Sequence, residues 1–178
     1  MNGKISDKIG DKIGDKIIKI FTDGSFKKLT KNTALCGYGV YFPNNEIKNI
    51  AKPFVKKPLT NQRAELYAIY KSLKQIKKKK IKYDEIIIYT DSEYSIKSLT
   101  VWNTNWENND WKNAQGKPVM NQDIIKPIIK FLKKNENKIK FKHVRSHTGK
   151  QDFESLGNEM ADKLANKGAM RDRNEGAV

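Results

Sequence analysis

The sequence predicts a mixed α/β domain, a sheet covered by helices, and three observations carry that prediction. Two β-branched runs, Ile18-Lys19-Ile20-Phe21 and Ile86-Ile87-Ile88-Tyr89, each close on Thr-Asp and then a small residue. Two stretches with apolar residues at a 3.6-residue period lie between and after them. The runs Leu35 to Phe42 and Glu46 to Lys52 flank Pro43-Asn44-Asn45, which is hairpin turn chemistry. The resulting order, βββαβα(α)βα, belongs to layered folds in which helices cover a sheet.

Residues 1–16 repeat Asp-Lys-Ile-Gly at 7–10 and 11–14. Gly10 and Gly14 disfavour a helix there, so a flexible lead-in is expected. A strand over about 17–23 is followed by a Lys-rich loop to Thr33 and then by the hairpin. Gly37 and Gly39 inside the hairpin mark a place where another element comes close. After Pro53 and Pro58, Thr60 offers an N-cap to a helix whose stripe is Leu66, Ile69, Tyr70, Leu73 and Ile76. Its Lys77 to Lys80 end reads as a solvated terminus favoured by the helix dipole.

The second Asp-terminated strand, 85–91, opens into a short helix over Tyr94 to Leu99. An irregular Trp-rich segment is expected from Trp102 to Gly116. Ile124, Ile125, Ile128, Ile129 and Leu132 define a helix over 121–134, and 138–144 is the last strand. A loop from Arg145 to Gly157 should lead to a final helix ending at Gly168, with 171–178 a frayed tail. Residues 17–170 thus form one domain, long enough to bury a core without staples.

Composition narrows the function. Cys36 is the only cysteine, which excludes an intramolecular disulfide. No apolar run approaches the roughly 20 residues that span a bilayer, and Asp7, Asp11 and Asp15 interrupt any signal-like stretch. An intracellular place, cytoplasmic or nuclear, and a monomer without membrane contact are expected. With 36 basic and 20 acidic residues the formal net charge is +16, which favours a polyanion partner. Lysine supplies nearly all of it, so biased coding could also produce the excess.

If the two Asp-terminated strands are parallel neighbours, Asp23 and Asp91 lie roughly 5 Å apart at the carboxyl edge of the sheet. Open α/β sheets bind their ligands at that edge. Two like charges so close need a proton or a cation between them, and hard carboxylate oxygens suit Mg²⁺ or Mn²⁺. A lone Asp at a strand end is often a helix cap; a matched pair is harder to read that way. Glu65 falls at the edge of its helix's buried stripe, where an ionised carboxylate is costly unless paired or coordinated. Arg63 is one available partner, and a metal is the other.

Thr22-Asp23-Gly24-Ser25, Thr60-Asn61-Gln62-Arg63-Ala64-Glu65, Tyr89-Thr90-Asp91-Ser92, Ser146-His147-Thr148-Gly149 and Asn158-Glu159-Met160-Ala161-Asp162 occur in that order. In motif and spacing the chain resembles type 1 ribonuclease H across about residues 17–170. The resemblance implies a ribonuclease H-like five-stranded mixed sheet flanked by helices. It also implies an endonuclease that hydrolyses the RNA strand of RNA/DNA hybrids with two Mg²⁺ ions, Mn²⁺ being a possible substitute. Asp23, Glu65, Asp91 and Asp162 match the family's metal-binding carboxylates, and His147 matches a loop histidine tied to proton transfer or product departure. On periodicity alone Asp162 points away from the apolar side of its helix and reads as a surface residue. His143 reads as a packing residue.

For the substrate, the resemblance implies that Asn61 and Gln62 touch the hybrid's minor groove and that Thr60 and Asn121 hold a DNA-strand phosphate. A helix N-terminus suits that anion, and the 2′-hydroxyl is what separates RNA from DNA. Tyr94 and Trp106 match aromatic sugar contacts of a basic protrusion, whereas Trp102 and Trp111 are expected to pack in the core. Glu107 to Asp110 make the tip of that protrusion less basic than in relatives. The stretch from His147 to Asp162 is longer, and no separate N-terminal hybrid-binding domain is expected. A DNA-cutting nuclease of the same superfamily and an inactive hybrid-binding module are the competing readings. The Asn61-Gln62 pair argues against the first, and four idle carboxylates argue against the second.

Overall fold

Strand β1 (Ile17–Lys28) runs through the middle of a five-stranded sheet in a computed structural model that describes residues 16–31, 33–146 and 148–175. The sheet order is β3-β2-β1-β4-β5. β2 (Ala34–Tyr41) and β3 (Ile50–Pro53) continue from β1 as antiparallel neighbours. β4 (Glu85–Thr90) and β5 (Ile139–His143) run parallel to β1 on its other side. The expected crossover is therefore present: the chain leaves β3, passes through a helix and returns beside β1. The lead-in of residues 1–15 lies outside the described residues.

Helix α1 (Asn61–Lys78) supplies that crossover. Thr60 caps it, its Oγ1 accepting from the Arg63 amide at 3.2 Å. Leu66, Ile69, Leu73 and Ile76 are buried against Ile18, Ile20, Ile86 and Ile88, with Tyr70 half-buried at the margin. α4 (Gln122–Lys134) packs beside α1, contributing Ile124, Ile125, Ile128 and Ile129 to the same cluster. The opposite face of the sheet is covered by α5 (Phe153–Glu175), where Phe21, Tyr89, Val144 and Ala161 form a second cluster. Because β1 alternates its side chains, Ile18 and Ile20 feed one cluster and Phe21 the other.

The paired glycines of β2 act as their spacing suggested. A Cβ on Gly37 would stand 2.1 Å from the Ala169 nitrogen, and one on Gly39 2.3 Å from the Ala161 carbonyl oxygen. The α5 backbone thus lies directly on β2.

Several boundaries differ from the sequence reading. α5 starts before Gly157, because Asp152 caps it by accepting from the Ser155 amide at 2.9 Å. It also runs past Gly168 to Glu175. Both glycines allow close approach and do not stop the helix: a Cβ on Gly157 would stand 2.2 Å from the Phe21 ring, and one on Gly168 2.5 Å from the Lys52 carbonyl oxygen. Arg171, expected in a frayed tail, donates to the Ala51 carbonyl at 2.8 Å. β3 begins only at Ile50, since Asn49 takes the Phe42 amide on its side chain at 2.8 Å. The Trp-rich segment is not irregular throughout: after α2 (Glu93–Thr100) it forms α3 (Trp102–Asn108) before breaking at Asp110 and Trp111, both with positive φ.

Candidate active site

The last ladder pair between β1 and β4 is Phe21 with Tyr89. Two residues further on, the same register brings Asp23 opposite Asp91 at the carboxyl ends of the two strands. Glu65 reaches them from the second turn of α1, which is held against β1 because Gly24 has no side chain. A Cβ there would stand 2.4 Å from the Glu65 nitrogen. Carboxylate oxygens of Asp23, Glu65 and Asp91 all lie within 4.8 Å of one another.

Burial makes the cluster unusual. Asp23 is 6% exposed and Glu65 8%, and among the described residues no ion pair reaches Asp23, Glu65 or Asp91. Burial, followed by the Asp91 charge, pushes Asp23 up to about 8 against a hydrogen bond from the Gly24 amide; Asp162 and Glu65 push the same way. Glu65 is pushed up to about 7, chiefly by burial and then by Asp91, while a hydrogen bond from Ser92 pulls it down. Asn61 donates to Glu65 Oε1 at 2.5 Å. A divalent cation suits this donor set: hard oxygens, converging, short of positive charge and, at Asp23 and Glu65, raised out of the ordinary carboxylate range.

Asp162 stands apart from the three. It is half-buried on α5, its Oδ1 accepts from Asn166 at 3.0 Å, and its charge is felt at Asp23. With Asp91, Ser146, Asn158 and Lys163 it bounds a cleft of about 410 Å³. His147 lies outside the described residues, although its neighbours Ser146 and Thr148 line this cleft. His143 is not the packing residue expected. It is exposed at the end of β5, with Nε2 3.2 Å from the Asp91 carbonyl oxygen.

Thr60, Asn61 and Gln62 stand together at the start of α1, with Asn61 and Gln62 exposed. Asn121 closes a network behind them. Its Nδ2 donates to the Tyr94 hydroxyl at 2.8 Å, and its Oδ1 accepts from Arg63 at 3.3 Å. Arg63 also grips Asp123 through two hydrogen bonds of 2.7 and 2.8 Å. The Arg63–Glu65 pairing considered from sequence therefore does not form. Ring contacts continue from Tyr94 to Trp102 at 6.0 Å, on to Trp106 at 5.8 Å and to Trp111 at 6.2 Å. Trp106 and Trp111 are half-buried against the main core, but Trp102, expected inside, is 36% exposed.

Ser92 and Asn166 are not read as site residues in the sequence, and His143 is read there only as a packing residue. Ser92 carried a legible signal, as the cap that follows Asp91: its Oγ accepts from the Ser95 amide at 3.2 Å. The other two are brought to the site only by tertiary packing.

Residues 15–170 match the family described as RNase H. A protein of Acanthamoeba polyphaga mimivirus named probable ribonuclease H is 40% identical over 136 residues, which is 76% of this chain and 58% of that one. The ribonuclease H of Schizosaccharomyces pombe is 35% identical over 150 residues, 84% of this chain and 52% of its own length. This chain thus spans little more than half of either relative. The ribonuclease H of Haemophilus influenzae (strain 86-028NP) is 35% identical over 154 residues, 85% of this chain and 89% of that one. Among solved structures, the PFV RNase H domain superposes with a TM-score of 0.69 at 26% identity, over 89% of this chain and 97% of that one. LC11-RNase H1, solved in complex with RNA/DNA hybrid, shares the fold with a TM-score of 0.56 at 17% identity, over 88% and 99%. Carboxylates gathered at one sheet edge, on this topology and with this extent of similarity, place the chain: it belongs to the RNase H family.

Proposed function

We propose that this chain, acting as a monomer, hydrolyses the RNA strand of RNA/DNA hybrids with two divalent cations held by Asp23, Glu65, Asp91 and Asp162. The observation that carries the reading is the convergence of three carboxylates, two of them buried, with no ion pair to balance them among the described residues. Two bound Mg²⁺ ions, or Mn²⁺ in their place, would activate the attacking water and neutralise charge on the departing 3′ oxygen.

The remaining steps fall to side chains. Asp23, on the central strand, would help to hold both cations. Asn61 orients Glu65 through its amide, and the exposed Asn61 and Gln62 meet the minor groove from the start of α1. Thr60, with its hydroxyl at the helix N-terminus beside Asn121 and Arg63, takes a DNA-strand phosphate. The aromatic run from Tyr94 to Trp106 lies alongside that phosphate position and carries deoxyribose contacts. The +16 charge draws the polyanion in. His147, which matches the family's loop histidine in sequence, assists proton transfer or product departure. Relatives named ribonuclease H and a neighbour solved with RNA/DNA hybrid support the choice of substrate.

The test is cleavage of end-labelled RNA in an RNA/DNA hybrid beside duplex RNA and duplex DNA, with Mg²⁺ and with EDTA. Cutting confined to the RNA of the hybrid, and only with metal, is expected. Cutting of duplex DNA would favour a related nuclease. Hybrid binding with no cutting under any metal would favour a binding module.

A further inference from the structure

We propose that Asn166 is a positioning residue for Asp162, fixing one carboxylate oxygen so that the other faces the cations; this rests on the metal-dependent reading above. Asn166 lies one turn beyond Asp162 on α5. Its Nδ2 donates to Asp162 Oδ1 at 3.0 Å, and its Oδ1 accepts from the Ser25 hydroxyl at 2.6 Å. The direction of this relay follows from donor chemistry. An ionised Asp162 only accepts, so the amide must turn its NH₂ towards it, which leaves the amide oxygen for Ser25 and obliges that hydroxyl to donate.

Ser25 is two residues past Asp23 on β1, so the two side chains share a face of the strand. The relay therefore ties the helix bearing Asp162 to the strand bearing Asp23. Asp162 needs such a tie more than the others do. Asp23 and Glu65 are buried and Asp91 groups closely with them, whereas Asp162, half-buried, lies outside that group. The adjacent lysine does not restrain it, because Lys163 pairs with Glu159 at 2.6 Å. With Oδ1 held by Asn166, Oδ2 is the oxygen left for a cation. Partners that orient a ligand carboxylate in this way commonly change metal affinity about tenfold or more when removed.

The experiment is a Mn²⁺ titration of the full chain, followed by electron paramagnetic resonance and calorimetry, for the wild type, Asn166→Leu, Ser25→Ala and the double variant. Thermal unfolding of each is recorded in EDTA. The wild type should take up two ions. Asn166→Leu should weaken the weaker ion about tenfold and leave the tighter one unchanged. Ser25→Ala should weaken the same ion by less, and should cost nothing further when added to Asn166→Leu, since a broken chain cannot be broken again. Should Asn166→Leu fail to fold, Ser25→Ala alone decides. Unchanged constants for both ions, or losses that simply add, would overturn the relay with the metal reading intact. A wild type that takes up no Mn²⁺ would remove the metal reading, and the relay with it.

Discussion

Arg63 grips Asp123 through both terminal nitrogens, at 2.7 and 2.8 Å, and not Glu65, two residues along the same helix, which has no ion pair among the described residues. The two carboxylates respond in opposite directions. The Arg63 guanidinium holds Asp123 below the usual carboxylate range, while burial lifts Glu65 to about 7. One arginine's choice of partner keeps the acidic site short of positive charge.

That shortage gives stability a pH dependence. Asp23 and Glu65 have folded pKa values of about 8 and 7, above their ordinary values of 3.8 and 4.5. Between those limits the folded chain holds more protons than the unfolded one, so metal-free stability falls as pH rises through about 4 to 8. Asp23→Asn should therefore be more stable than the wild type at pH 8.5 in EDTA, by of order a few kcal/mol. The gap should close near pH 4, and saturating Mg²⁺ should narrow it at high pH by stabilising only the wild type. Urea unfolding at the two pH values, with and without metal, measures it.

Asp91→Asn keeps the shape of the side chain and removes its charge. Cleavage of the hybrid should drop by at least about a thousandfold, the scale expected when charge stabilisation of a transition state is lost. Hybrid affinity should stay within a few-fold, because the substrate contacts lie elsewhere. Steady-state cleavage beside fluorescence anisotropy with labelled hybrid separates the two quantities.

Gly39 lies against the carbonyl of Ala161, the residue before Asp162. Gly39→Ala should displace α5, costing about 3 kcal/mol or more in stability through overpacking. It should lower turnover even in the fraction that folds, because Asp162 moves with the helix. Urea unfolding and active-site titration of the purified variant would show both effects.

Strand pairing, the hairpin, the α1 stripe and the meeting of Asp23 with Asp91 were legible because each depends on local period or on a repeated strand ending. The Asn61 and Glu65 positions followed once Thr60 was read as a cap. What escaped had tertiary causes. Gly157 and Gly168 look like helix stops in sequence, but each serves a neighbour, Phe21 and Lys52, that no local window contains. α3 escaped because none of its residues is fully buried: Trp106 is half-buried and Trp102, tilted against it, is exposed, so its face carries no clear period. Asn166 gave no signal at all, since its role depends on Ser25, 141 residues away.

The aromatic run tests the substrate side. Trp106 is half-buried in the core, so Trp106→Ala should weaken hybrid binding and also cost about 2 kcal/mol of stability. Trp102→Ala, at an exposed ring, should change affinity with little loss of stability. Both should raise KM more than they lower kcat, as measured by hybrid cleavage beside thermal unfolding.

The most direct measurement is anomalous diffraction from crystals of the chain soaked in Mn²⁺ near pH 8. A peak within coordination distance of Asp23, Glu65 and Asp91 is predicted. Well-ordered carboxylates with no peak among them, at a concentration that supports cleavage, would contradict the account.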